Sequence, residues 1–306
     1  MRGWRCRPWR RSSSLSAVRF EKWQALGNDY VILEADQLPF ELTAARVRRL
    51  CAAHTGVAAD GVLVLSRTRA PGQVAAMRVF NPDGSEAEVS GNGARQAILF
   101  LRRNGWTDLD VFAIGAAAGE LRARITSASS CTVGMGDARL SSSDYPTGRP
   151  SGGGELTAAG RTWSFQHVQV GNPQCSIRME SEAELEGLDL ASIGPAIEHH
   201  GLFPNRTNVS WYAVLGRDRI RARIFERGVG ETAASGTGAM GAAVSHVISG
   251  GESPVTVLLD GGELLVDVGD DLRLELTGWA VPVMRGQVAD ELVAELQEMG
   301  GQVASQ

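Results

Sequence analysis

The stretch RVFNPDGSEAEVSGNGAR, residues 78–95, has a counterpart in RIFERGVGETAASGTGAM, residues 223–240. Arg78-Val79-Phe80 recurs 145 residues later as Arg223-Ile224-Phe225. In the same register Glu86 recurs as Glu231, and Ser90-Gly91-Asn92-Gly93-Ala94 recurs as Ser235-Gly236-Thr237-Gly238-Ala239. A Gly-Asn pair stands upstream in each copy, as Gly27-Asn28 and Gly171-Asn172. A single short motif matches by chance easily. A strand, a glutamate and a turn repeated in one register indicate duplication of a whole α/β unit.

Each Ser-Gly-Xaa-Gly turn lies between a strand-and-loop segment and a helix. Glycines there let the backbone take positive φ and let a ligand approach closely. The helix that follows begins with unpaired N–H groups and a partial positive charge, which suits a carboxylate or a phosphate. Pseudo-symmetry would bring both turns to one ligand in a cleft between the two copies. Neither turn continues into Gly-Lys-Ser/Thr and neither has GxGxxG spacing, so a P-loop and a dinucleotide fingerprint are excluded. Asn81 and Asp83 precede the first turn, and Glu226-Arg227-Gly228 precedes the second. An adjacent Glu-Arg pair can recognise an amino group and a carboxylate; it can equally be a surface ion pair.

Outward from the turns, strand patterns cover Tyr30 to Leu33, Val62 to Leu65, Val209 to Val214, Arg219 to Phe225, Val255 to Leu259, Leu264 to Val268 and Leu272 to Leu276. Many alternate apolar and polar residues, as half-buried antiparallel strands do. Helices are expected over Thr43 to Ala53 with Thr43 near its N-cap, over Ala94 to Asn104, over Ala239 to Ile248 and over Asp290 to Met299. Ser141 to Gly160, rich in Ser, Gly and Pro, reads as a loop or linker.

The 306 residues suffice for two domains of about 150 each. At 43% hydrophobic and 21% charged, the chain is an ordinary globular protein. No apolar run reaches the length of a membrane-spanning helix, and a net charge of −5 argues against a general nucleic-acid binder. Cys6, Cys51, Cys131 and Cys175 are scattered without a CxxC pair, so they read as isolated buried thiols of a cytoplasmic protein. None of His54, His167, His199, His200 and His246 falls in a metal motif, and the His199-His200 pair is expected on different faces of a helix. No metal site is expected. Residues 1–18, rich in Arg and Ser, read as a disordered tail or as translation from an upstream start.

Taken with Leu26-Gly27-Asn28-Asp29-Tyr30, Gly171-Asn172-Pro173 and Phe203 to Asn208, the two turn regions resemble diaminopimelate epimerase from Phe20 to about Met284. The resemblance implies two pseudo-symmetric domains, each a β-barrel-like, mostly antiparallel sheet around a central helix, with the active site in the interdomain cleft. The halves are expected over 19–137 and 138–283, with 284–300 packing back on the first. It implies cofactor-free inversion of one α-carbon of diaminopimelate, in lysine and cell-wall precursor synthesis, by two groups on opposite faces of that carbon. Those groups are cysteines in the family and fall on Ser90 and Ser235 here. A serine hydroxyl is scarcely ionised at neutral pH and needs a partner to take its proton; Glu226 and Glu231 are the candidates.

By the same resemblance Asn28, Asn81, Asn172, Asn208, Glu226 and Arg227 hold the distal amino-acid end of the substrate. Gly91, Asn92, Gly236 and Thr237 hold the reacting α-carboxylate. Gln174 replaces the family's usual histidine, which helps tune the thiol. Gln174 and Glu226 are therefore the expected pKa-modulating residues. Gly61 stands where a polar Gln is usual. The implied partner is a small amino-acid substrate, with no nucleic acid and no membrane, and a homodimer is one assembly the sequence allows. A related racemase, epimerase or dehydratase with another substrate, and a silent amino-acid-binding homologue, remain alternatives.

Overall fold

In the computed structural model, residues 17–299 are described. The first half runs β1 (Arg19–Ala25), β2 (Asn28–Glu34), α1 (Ala44–Cys51), β3 (Val62–Ser66), β4 (Gln73–Phe80), β5 (Glu86–Ala87), α2 (Gly91–Arg103), β6 (Val111–Ala116), β7 (Gly119–Ser127) and β8 (Ser130–Asp137). The second runs β9 (Gly153–Ala158), β10 (Arg161–Gln169), β11 (Pro173–Met179), α3 (Glu182–Glu186), α4 (Leu190–Glu198), β12 (Asn208–Gly216), β13 (Arg219–Glu226), β14 (Gly230–Thr232), α5 (Gly236–Ile248), β15 (Val255–Leu259), β16 (Gly262–Val268) and β17 (Arg273–Trp279). The chain then returns to the first half through β18 (Val281–Gln287) and α6 (Asp290–Glu298).

The ladders have the same pattern in both halves. In the first, β1 pairs β2, β2 pairs β3, β3 pairs β4, β4 pairs β6, β6 pairs β7 and β7 pairs β8. In the second, β10 to β17 repeat that order. Parallel pairing occurs at β2–β3 and β4–β6 and at their equivalents β11–β12 and β13–β15. These are the places where a helix carries the chain across, as parallel neighbours require. The halves join at β8 and β17, which are antiparallel with Thr132 opposite Thr277. Those two threonines are 145 residues apart and their hydroxyls lie at 2.8 Å, so the pseudo-twofold axis passes between them. The sheet wraps each helix without closing, and β18 and β9 are its end strands.

Each half encloses one helix. α2 is buried from Gly91 to Leu101, packed with Trp23, Tyr30, Leu63 and Met77. α5 is buried from Gly236 to His246, with Tyr212, Ile224, Val257 and Leu276 around it. α5 is apolar on nearly all sides, as a helix enclosed by a sheet should be, while α2 also buries Asn92, Arg95 and Gln96. Both helices end alike: Gly105 and Gly250 have φ of 71° and 97°, and Trp106 N–H and Gly251 N–H donate to Leu101 O and His246 O. This is the left-handed glycine stop of helices, repeated at the same offset.

The structure departs from the sequence reading in several places. α2 and α5 begin at Gly91 and Gly236, not at Ala94 and Ala239. The glycine turns are the first helical turn, because Ser90 and Ser235 cap it by accepting from Gly93 N–H at 3.0 Å and Gly238 N–H at 3.3 Å. The stretch Ser141 to Gly160 contains β9, which pairs along β10. α3 and the extent of α4 are not visible in the sequence pattern; Gly194 and Pro195 inside α4 conceal it, since both disfavour helix interiors. Gly194 is needed there, because a Cβ would lie 2.4 Å from the Phe225 ring. His199 is the C-cap of α4, so the histidine pair follows the helix and is not displayed on it.

Residues 1–16 of the expected tail, with Cys6, lie outside the described residues. Val18, placed in that tail, is buried and accepts from Val288 N–H. Cys51, Cys131 and Cys175 are buried and free. In the returning segment Leu296 joins the core around Val47 and Leu50, and Glu295 pairs with Arg49 at 2.6 Å. Among the described residues no helix is long and apolar enough to cross a membrane.

Candidate active site

The two caps meet at the pseudo-axis. A Cβ built on Gly236 would lie 3.2 Å from Gly91 Cα, and one on Gly91 would lie 3.4 Å from Gly236 Cα. The starts of α2 and α5 are therefore in close backbone contact, and a side chain at either glycine would press on the other helix and on Leu276. None of Gly91, Gly93, Gly236 and Gly238 is among the glycines with positive φ. Their use is close approach, not the left-handed conformation expected from the sequence. Positive φ belongs to Gly27 and Gly171, at 86° and 82°. Each of these loops reaches the other half: Gly27 lies beside Ala233, just before Ser235, and Gly171 lies beside Val89, just before Ser90. Asn92 ties the turns together, donating to Ala234 O at 3.4 Å and to Asn28 Oδ1 at 3.3 Å.

The two serines have different partners. Ser235, buried, donates to Glu226 Oε2 at 2.9 Å. Burial raises the Glu226 pKa above the usual carboxylate range, and the Ser235 hydrogen bond opposes that shift. Glu231, the other candidate, is paired with Arg223 at 2.7 Å, as Glu86 is with Arg78 at 2.8 Å. These are a duplicated structural ion pair. Ser90 is half-buried and accepts from Tyr30 O–H at 3.3 Å as well as from Gly93 N–H. Burial pushes the Tyr30 phenol up to about 12, and the Glu226 charge adds to the shift.

Asn28 donates to Asp60 Oδ2. Asn172 donates to Thr237 Oγ1 at 3.4 Å and accepts from Gln174 Nε2 at 2.6 Å. Gln174 is wholly buried and reaches Ser235 only through Asn172 and Thr237. Asn208 is buried with both ends of its amide engaged, donating to Pro173 O and accepting from Arg227 N–H at 2.8 Å. Arg227 is half-exposed and donates to Asn205 O. Asn81 donates to Ser85 within its own turn. The site thus gathers Asn28, Asn92, Asn172 and Thr237 around the two turns, while Asn81 bonds within its own turn and the Arg227 guanidinium bonds Asn205 O.

Sequence reasoning missed Tyr30 and Arg95. Tyr30 reads as one aromatic of an apolar strand, and nothing in its own neighbourhood signals that its hydroxyl reaches a turn 60 residues on. Arg95 is fully buried at the start of α2, donating to Gly91 O at 3.0 Å and Asn92 Oδ1 at 2.6 Å. Desolvation lowers its pKa to about 10. An arginine within an apolar helical pattern was the available signal.

The profile of the diaminopimelate epimerase family matches residues 20–141 and 166–289. The chain belongs to the diaminopimelate epimerase family. It is 39% identical over 287 residues to the diaminopimelate epimerase of Synechococcus sp. (strain JA-3-3Ab), covering 90% of this chain and 99% of that one. With the diaminopimelate epimerase of Magnetococcus marinus it shares 38% identity over 276 residues, covering 88% and 96%. Among solved structures, a probable proline racemase from Agrobacterium radiobacter K84 superposes with a TM-score of 0.64 at 15% identity, covering 89% of this chain and 93% of that one. That likeness shows the shared pseudo-symmetric fold. Membership makes the protein an isomerase of the epimerase type, with serine at both positions where the family resemblance implies cysteine.

Proposed function

We propose that the protein interconverts L,L- and meso-2,6-diaminopimelate, without a cofactor, by exchanging a proton across the two faces of one α-carbon. Ser235 and Ser90 are the groups on those faces. The observation that carries this reading is the 2.9 Å hydrogen bond from Ser235 to the half-buried Glu226 carboxylate, at a helix start in contact with the one that Ser90 caps. Glu226 supplies what a serine lacks as a base, a nearby acceptor for its proton. The Ser235 oxygen can then take the α-proton as its own hydrogen moves to Glu226.

The negative charge left on the substrate spreads into its carboxylate. The first-turn N–H groups of Gly91, Asn92, Gly236 and Thr237 are the donors that the two helices leave unpaired. Two converging helix starts stabilise that charge as it develops. Asn28, Asn172 and Arg227, with Asn81 and Asn208 behind them, suit the distal amino-acid end. The substrate is a small amino acid, and the reaction belongs to lysine and cell-wall precursor synthesis in the cytoplasm.

The test is α-hydrogen exchange in deuterated water with L,L- and meso-diaminopimelate, followed with the isomer ratio. Exchange with inversion of both isomers is expected. A second reading, a silent amino-acid-binding homologue, is favoured by the serines at both positions. Diaminopimelate binding without any exchange would establish it. Exchange of another amino acid and none of diaminopimelate would assign a different substrate.

A further inference from the structure

Hydrogen-bond direction separates the two serines. Ser235 donates to Glu226 and accepts from Gly238 N–H at 3.3 Å, which leaves one lone pair of its oxygen to receive a proton. Ser90 accepts from both Tyr30 O–H and Gly93 N–H, which leaves its own hydrogen free to be given. We propose that Tyr30 is a positioning residue that sets Ser90 as the proton donor in the direction in which Ser235, with Glu226, takes the α-proton; in the reverse direction the same transfers run backwards. This rests on the two-base reading above.

The placement of Tyr30 is built into the chain by Gly61. A Cβ at position 61 would lie 2.6 Å from Tyr30 Cε1, 3.0 Å from Tyr30 Cδ1 and 2.3 Å from Phe80 O. The tyrosine ring occupies the space that any side chain at 61 would take. The glycine and the phenol on the serine are thus one arrangement. At 3.3 Å the Tyr30–Ser90 contact is longer than the ~2.7–2.8 Å of a close hydroxyl pair. Contacts of this kind tighten when charge develops on the partner.

The step balances as follows. The α-carbon C–H bond breaks, its proton goes to Ser235 Oγ, and the Ser235 proton passes to Glu226. The electron pair stays on the substrate, spread into its carboxylate. On the other face the Ser90 O–H bond breaks and its proton forms the new C–H bond, while the Tyr30 proton replaces it on Ser90 Oγ. The site is left with neutral Glu226 and a Tyr30 phenolate. One proton moving from Glu226 to Tyr30 through solvent restores it. A phenol near 12 is a far better resting place for that charge than a serine alkoxide.

A double-mutant cycle tests this. Tyr30→Phe removes one hydroxyl and keeps the ring, and is expected to lower kcat for inversion roughly a hundredfold with KM nearly unchanged. It should spare, by comparison, the solvent exchange of whichever isomer presents its α-hydrogen to Ser235. In a Ser90→Cys background the thiol gives its proton without help, so Tyr30→Phe is expected to have little effect there. An equal penalty in both backgrounds would make Tyr30 a packing residue and overturn the inference alone. A parent protein that exchanges no α-hydrogen of diaminopimelate would overturn the two-base reading itself, and this inference with it.

Discussion

Replacing Glu226 by Gln should slow the protein and stabilise it together. The Gln side chain keeps the size of the glutamate, and its amide oxygen can still accept the Ser235 hydroxyl across the 2.9 Å gap. What disappears is the capacity to take a proton. General acid–base groups contribute about 10²–10⁴ in rate, which is about 3–5 kcal/mol at ~1.36 kcal/mol per decade. Exchange of the α-hydrogen that faces Ser235 should fall by that factor.

Stability should move the other way. Burial raises the Glu226 pKa in the folded protein above its value in the unfolded chain. Between those two values the folded state holds a proton that the unfolded chain has released. Stability therefore falls as pH rises through that window, and Glu226 opposes folding above it. Gln carries no such penalty. The thermal midpoint of Glu226→Gln should exceed that of the parent at neutral pH. The gain should shrink as pH is lowered through the window and vanish below the ordinary carboxylate range, where the parent carboxyl is protonated in both states. Calorimetric melts across that range, beside exchange rates in deuterated water, make the measurement. A variant that loses stability and rate together would refute the argument, because Glu226 would then be holding the fold. A variant with undiminished exchange would remove it as the proton acceptor.

Three further outcomes follow from the same geometry. The Ser90→Cys, Ser235→Cys double variant should exchange the α-hydrogen of diaminopimelate faster than the parent, and either single variant should gain less, because thiols ionise far more readily than hydroxyls; a slower double variant would mean the serines are adapted to their partners. Arg227→Ala should weaken diaminopimelate binding by about 2–5 kcal/mol if ligand buries the guanidinium, read by calorimetric titration; unchanged affinity would point to a substrate without a distal carboxylate. Gly238→Ala should lower stability by about 1–2 kcal/mol, since its Cβ would lie 2.7 Å from Ile224 Cδ1 and overpacking outweighs the gain in helix propensity; a raised melting temperature would show that Ile224 moves aside freely.

The repeat was legible because its elements are local. Ser90 and Ser235 cap helices whose first and last residues are related by one offset, and Arg78–Glu86 and Arg223–Glu231 are hairpin-range pairs within a single stretch. The site was legible where it follows directly from those turns. It was not legible where long-range packing decides. Tyr30 reaches Ser90 because a glycine at 61 leaves room, which no window of sequence around either residue reveals. α4 was hidden because Gly194 serves its approach to Phe225, and glycine inside a helix reads as a break. The turn glycines stand out in the sequence, but they do not take the positive φ expected of them, and the contact between the two helix starts is a tertiary fact.

The symmetry of the fold makes the asymmetry of the partners meaningful. At the 145-residue offset Glu226 corresponds to Asn81, and at the 144-residue offset of the Gly-Asn loops Tyr30 corresponds to Gln174. Each half thus carries one group that can exchange a proton and, in the position related to the other half's group, a neutral amide. Two carboxylates around one small site would each raise the other's pKa, and one would stay protonated. A carboxylate facing a phenol avoids that conflict. The phenol, pushed up chiefly by burial, keeps its proton, and a charge on Glu226 is a further reason for it to do so. A duplicated unit with cysteines needs no such division, because one thiol type can serve as acid or base. With serines at both turns the division has to come from the neighbours, and in this chain the neighbours differ on the two sides.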